Sequence, residues 1–239
     1  MSITPDFSTF KKEYEAGRNQ VIFSKLTSDL DTPVSIMLKL AGAKKNSFIL
    51  ESVTGGETRG RYSIIGMEPD LIWKCEGNRS FISSRNNEFT HIKGNPLNVF
   101  RDLLKQSAIN LPEDLPQASA GLFGYFGYDM VRHVEDLPNV NPDKIGLPDA
   151  IFIRPSIIAV LDGVKGEVIL VSPVFYNKNT SSNQAFEKAL KKIEDAIYEL
   201  RKQIVTNRNL GKSGEIEEPS SNFTKEEYKS AVKKAKAYI

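Results

Sequence analysis

Glu51, Ser52, Glu57, Arg59, Arg61 and Ser63 lie in one short stretch of the chain, interspersed with glycines at 55, 56, 60 and 66. Carboxylates, guanidinium groups and hydroxyls at this density can serve both ends of a small zwitterion, with acceptors for an ammonium group and donors for a carboxylate. The glycines permit positive φ and close backbone approach. A competing reading leaves the same side chains as ordinary turn residues, solvated or bonded to the local backbone. Residues 48–50 and 62–65 are apolar, strand-like runs on either side of Gly55 and Gly56, so a β-hairpin with its polar groups at the rim is expected.

Other chemistry-bearing residues support less. Glycines 121, 124 and 127, interleaved with Phe and Tyr, have neither of the spacings that a phosphate-binding loop requires, and they read as positions where a strand packs tightly under its neighbours. Gly211-Lys212-Ser213 copies only the end of such a loop, in surroundings that read as linker. His133, near Asp129, Glu135 and Asp136, has the residue types of a base with an orienting carboxylate, but a histidine beside a polar turn is more often structural. His91 alternates with apolar neighbours and should point outward. Cys75 is the single cysteine, expected as a buried thiol near Trp73, and no carboxylate or Cys/His cluster has metal-ligand spacing.

The elements that must position these residues follow from periodicity. Residues 6–16 form a short helix with Phe7, Phe10 and Tyr14 on one face, closed by Gly17; 21–26 form a strand. Thr32-Pro33 opens a helix over 34–40, stopped by Gly42, and Asn95-Pro96 opens another with Leu97, Phe100, Leu103 and Leu104 on one face. Runs 71–75, 80–83 and 89–92, separated by polar turns, read as an antiparallel meander. Runs 151–161, interrupted at Pro155, and 167–174 read as a long hairpin at the sheet centre, turning at Asp162-Gly163. Residues 185–204 are amphipathic at helical period, with Ala185, Phe186, Ala189, Ile193 and Ile197 on the apolar face.

The fold class expected is α+β, a mainly antiparallel sheet packed with helices. A domain over 1–206 is followed by a linker, 207–222, rich in Gly, Ser, Glu and Pro. Over 223–239, Thr224 and Glu227 form a capping box, and the sequence ends at Ile239 inside a helical pattern, so the chain is expected to be truncated within a further region.

The 239 residues, 40% hydrophobic and 26% charged, have the make-up of a soluble globular chain. Thirty-two Lys and Arg against 30 Asp and Glu give a net charge of +2, which offers no footprint for nucleic acid or an anionic membrane. No basic leader with an apolar run opens the sequence and no stretch approaches the ~20 apolar residues of a membrane span, so a cytoplasmic location is expected.

Two runs carry a family resemblance: Leu50-Glu51-Ser52 with Gly55-Gly56-Glu57 and the residues from Gly60 to Gly66; and the residues from Gly121 to Asp129 with Val131-Arg132, Glu135 to Pro138, and Leu147 to Ala150. They resemble the amino-terminal part of anthranilate synthase component I, and the resemblance spans nearly the whole chain. It implies an enzyme converting chorismate and ammonia to anthranilate and pyruvate for tryptophan synthesis. Ammonia would come from glutamine through an amidotransferase partner (component II), with Mg2+ as cofactor. In related synthases the Leu-Glu-Ser position binds L-tryptophan as feedback inhibitor; Ser52 matches the serine in contact with it, Glu51 stands beside it, and Arg61 and Tyr62 either line or brace the pocket or have a structural role in the strand alone. The resemblance places no catalytic base at His133, and puts the catalytic residues and the Mg2+ ligands outside residues 1–239. Aminodeoxychorismate synthase component I, of the folate pathway, and a stand-alone amino-acid-sensing module are the alternatives.

Overall fold

Asp6 begins the first helix by accepting the Thr9 N–H at its carboxylate (2.8 Å), and α1 (Phe7–Glu15) turns Phe10 and Tyr14 inward. A computed structural model describes residues 2–28, 30–42, 44–52, 60–84, 88–138, 142–204 and 220–239. After β1 (Gln20–Thr27), Thr32 and Ser35 exchange bonds in a capping box, and Pro33 supplies a preset φ at the first turn of α2 (Pro33–Leu40). Then follow β2 (Phe48–Leu50), β3 (Tyr62–Glu76), β4 (Arg79–Ser84) and β5 (Phe89–Ile92). Asn95 caps α3 (Pro96–Gln106) by accepting the N–H groups of Leu97 and Asn98, and β6 (Phe123–Phe126), β7 (Ala150–Asp162) and β8 (Glu167–Val174) complete the strands. A Ser181/Gln184 capping box starts α4 (Ser182–Leu200). These elements belong to a unit over residues 1–204; a second unit, 205–239, contains α5 (Lys225–Lys236), opened by the Thr224/Glu227 capping box.

Every strand pairing is antiparallel, in the order β1-β8-β7-β3-β4-β5, with β2 also on β3 and β6 also on β7. The long pair β3–β7 is the spine. Its upper part, Tyr62 to Met67 against Asp162 to Ile157, is flanked by β2 on one edge and β8 on the other. Its lower part, Leu71 to Cys75 against Arg154 to Ala150, is flanked by β4 and β6. Both strands change partners at one level, where Pro69 faces Pro155 and the register shifts. Arg154 spans this level with a fork onto Asp70 (2.7 and 3.0 Å), and Ser156 donates to the Glu68 carbonyl (2.5 Å).

Side-chain alternation divides the apolar residues between the two faces. Ile65, Met67, Ile157, Ala159 and Leu161 pack under α1, α2 and α4 with Phe10, Ile36, Phe186, Ala189 and Ile193. Ile158 and Val160 pack on the opposite face against Leu115, with Tyr62, Ile64 and Phe123 beside them. Trp73, Cys75, Phe100, Leu103 and Met130 form a third cluster beneath α3. A fully buried Ile193 or Phe10 contributes roughly 1.5–3 kcal/mol by leaving water.

The α+β class and its antiparallel sheet agree with expectation, as do the caps at Thr32, Asn95 and Thr224. Four details differ. Runs 62–65 and 71–75 are one strand, because the register shift between Pro69 and Leu71 absorbs the proline; Glu68 just before it has φ +52°. Pro155 likewise sits inside β7 instead of interrupting it, at the level where it faces Pro69 and the β3–β7 register shifts. Leu104 is exposed, and α4 stops at Leu200 instead of reaching Ile204. The expected linker lies mostly outside the described residues.

Candidate functional site

The polar hairpin is built on the upper spine. Phe48, Ile49 and Leu50 pair with Gly66, Ile65 and Ile64, and the ladder ends there. Glu51 is exposed and Ser52 half-buried immediately beyond it. The Ser52 N–H donates to the Oγ of Ser63 (3.1 Å), a side chain only 6% exposed. Gly55, Gly56, Glu57 and Arg59 lie outside the described residues; of the other sequence candidates the structure joins Ser52 to Ser63, while Glu51 is next to Ser52 in the chain and Arg61 is turned onto Asp162. Gly66 does not have a positive φ; it is needed for space, because a Cβ there would lie 2.3 Å from the Phe48 ring.

Arg61 is a brace. Its Nε and Nη2 reach the two carboxylate oxygens of Asp162 at 2.9 and 2.6 Å, its guanidinium also lies over the Tyr62 ring, and its carbonyl accepts the Gly163 N–H (2.9 Å). Asp162 is 3% exposed and also accepts the N–H groups of Val164 and Lys165. The Arg61 bond, outweighing burial and aided by those amides, holds the Asp162 carboxyl below the ordinary carboxylate range. Sequence reading took Asp162 only as a turn residue; its pairing with Arg61 follows from the β3–β7 register, which sequence spacing does not give.

The second motif is structural. Gly124 in β6 lies against β7 so closely that a Cβ would fall 1.9 Å from the Ile151 carbonyl oxygen. The Tyr125 hydroxyl donates to the Pro148 carbonyl, and a 3-10 turn over Tyr128–His133 holds Arg132 on Asp129 (2.7 Å) and on the Leu137 carbonyl (2.8 Å). Asp129 is thus engaged by Arg132. His133 Nε2 is instead 3.8 Å from the Cys75 Sγ. Burial first, then the charges of Asp149 and Glu76, push the Cys75 thiol up to about 11, so it is a poor nucleophile near neutral pH. His91 is exposed on β5, as expected.

Sequence reading missed a groove of about 770 Å³ between the sheet and α4, bordered by Arg154, Asp70, Glu68, Lys188 and Lys192. Its charges are drawn largely into contacts with one another. Arg154 forks onto Asp70 and stacks over Phe175 (3.7 Å), while Lys192 bonds Ser156 and approaches Glu68 (3.7 Å). Burial acts to raise the Glu68 carboxyl, yet Lys44 and Lys192 prevail and hold it low. The groove ties the partner-switch level of the spine to α4. The positive φ of Glu68 beside Pro69 marks the place, but φ cannot be read from the sequence.

A family model described as chorismate binding enzyme matches residues 45–239. "Anthranilate synthase component 1" of Cereibacter sphaeroides is 50% identical over 237 residues, covering 98% of this chain and 47% of that protein. The protein of the same name from Pseudomonas putida is 38% identical over 224 residues, covering 89% and 43%. The crystal structure of anthranilate synthase component I from Streptococcus pneumoniae aligns over 74% of this chain and 36% of that one, at 25% identity and a TM-score of 0.48. The chain spans about half the length of the curated relatives it matches.

Proposed function

The chain belongs to the chorismate binding enzyme family, and from that premise we propose that it is the amino-terminal part of an anthranilate synthase component I. The whole protein converts chorismate and ammonia to anthranilate, pyruvate and water: ammonia adds to the ring, the ring hydroxyl leaves as water, and elimination of pyruvate leaves the aromatic product. The observation that carries this reading is the 50% identity, across 98% of the chain, to a protein named anthranilate synthase component 1. A glutamine amidotransferase subunit supplies the ammonia, and the assembly works in the cytoplasm; no helix among the described residues is long and apolar enough to cross a membrane. Mg2+ is implied by the resemblance, but among the described residues no three His, Cys, Asp or Glu side chains gather. These residues do not fit a magnesium site.

The role proposed for this part is regulation. L-tryptophan binds at the base of the 48–66 hairpin, with Ser52 in polar contact and Glu51 toward the ammonium group. Ser52 half-buried two residues beyond the end of a three-residue strand, with its N–H already held by Ser63, supports this reading. Calorimetry of L-tryptophan against the complete protein, paired with chorismate turnover and product analysis, tests it. Anthranilate formation inhibited by tryptophan is expected, and Ser52→Ala should weaken inhibition far more than it lowers the uninhibited rate. An unchanged inhibition curve would remove Ser52 from the site, and aminodeoxychorismate as product would move the enzyme to the folate-pathway relative.

A further inference from the structure

The groove of about 770 Å³ between the sheet and α4 has the size that ordinarily holds a small organic ligand. Glu68 on its border keeps a φ of +52°, a left-handed conformation that is costly for a residue with a side chain, and such strain gathers at sites of function. On α4 the bordering positions are Ala185, Lys188, Ala189 and Lys192, the spacing of a single helix face, so both lysines share that face with only alanine methyl groups beside them. Arg154 borders the groove from β7. Three cations thus meet two carboxylates, Glu68 and Asp70, which leaves one positive charge in excess in a recess that focuses its field.

Both carboxylates are already answered. Asp70 receives the Arg154 fork on its two oxygens, and Glu68 accepts Lys44 on one oxygen (2.9 Å) while Lys192 approaches the other. The donors are not used up in the same way. A guanidinium has five N–H groups; in Arg154 two go to Asp70 and one to the Ser107 hydroxyl (3.1 Å), and the other two have no partner among the described residues. A carboxylate brings two oxygens in one plane, whereas a phosphoryl group brings three in a tripod, which suits cations that come from two different elements. Val174 and the Tyr176 ring, 44% exposed, border the same recess and offer apolar surface to whatever the phosphoryl group is attached to. We propose that this groove binds the phosphoryl group of a small ligand between Arg154 on β7 and Lys188 and Lys192 on α4.

The test is calorimetric titration of the complete protein with phenyl phosphate, inorganic phosphate and benzoate at one fixed ionic strength. Phenyl phosphate should bind, and benzoate should bind far more weakly. Tighter binding of phenyl phosphate than of inorganic phosphate makes an organic phosphate the natural occupant; equal binding makes it free phosphate, and either result upholds the phosphoryl site. Lys188→Gln, an exposed position whose loss the fold tolerates, should weaken binding roughly three- to tenfold, and Lys188→Arg should keep most of it. The double variant Lys188→Gln/Lys192→Gln should weaken it further, while Lys105→Gln, on α3 and 80% exposed, should change nothing. No measurable heat with either phosphate overturns the proposal. So does benzoate binding as tightly as phenyl phosphate, or phosphate binding that is indifferent to Lys188→Gln and to the double variant, since the ion then sits elsewhere.

Discussion

Replacing Arg61 by Leu removes one half of a pair whose other half, Asp162, is 3% exposed. Breaking a buried pair by deleting one partner costs about 3–5 kcal/mol when the remaining charge is stranded. Two features of this site lower that figure. The Arg61 side chain is 25% exposed, so water already screens the pair, and the amides of Val164 and Lys165 stay at 3.0 and 3.2 Å from the carboxylate after the guanidinium is gone. A loss of about 2 kcal/mol is therefore expected for Arg61→Leu. The double variant Arg61→Leu/Asp162→Asn should lose less than the sum of its single variants by about 1 kcal/mol or more. Urea unfolding of the 239-residue chain reads this directly, because Trp73 is its one tryptophan and is fully buried. The pH dependence supplies a second check. The Asp162 carboxyl is held low in the folded chain, so the pair's contribution is complete above the unfolded carboxylate value of about 3.9 and is lost as pH falls through the lower folded value. The gap between parent and Arg61→Leu should accordingly be full near neutral pH and shrink in strong acid. Additive single variants, a loss under about 0.5 kcal/mol near neutrality, or a gap indifferent to acid would each refute the reasoning.

Gly124→Ala places its methyl group 1.9 Å from the Ile151 carbonyl oxygen, backbone that cannot rotate away, whereas Gly66→Ala meets the Phe48 ring, which can. Thermal melts should therefore show Gly124→Ala losing more than about 3 kcal/mol and Gly66→Ala about half that, and equal losses would argue against this packing. Cys75, with its thiol raised to about 11, should resist alkylation near neutral pH in the folded chain and react fully once the chain is unfolded; rapid labelling of the native chain would contradict its burial.

The sequence made legible whatever depends on neighbours along the chain. Thr32, Asn95 and Thr224 cap the helices expected of them, because a cap and the N–H groups it satisfies lie within three residues. Gly124 was legible as a tight-packing position from its setting among aromatics. Features set by strand register were not. That Pro69 faces Pro155, letting both strands run through their prolines, depends on residues 86 positions apart, since 155 less 69 is 86. The same is true of Arg61 and Asp162, and of the groove joining β3 to α4. At the candidate site, residue types singled out Glu51, Ser52, Arg61 and Ser63 together; which of them holds which depended on where β2 leaves the ladder.

The level at which Pro69 faces Pro155 bears on how the two halves of the spine hold together mechanically. A proline offers no amide hydrogen, so neither strand can donate a rung there, and the ladder is thinnest where the flanking strands also change over. Bending between the hairpin-bearing half and the half carrying the aromatic-glycine motif is resisted at that line by side chains: the Arg154 fork on Asp70, the Ser156 hydroxyl on the Glu68 carbonyl, and Lys192 of α4 on Ser156. The sheet behaves as two plates joined along a seam whose stiffness is set by its rivets, and changing a rivet alters how a strain at one plate is felt by the other without touching the residues of either.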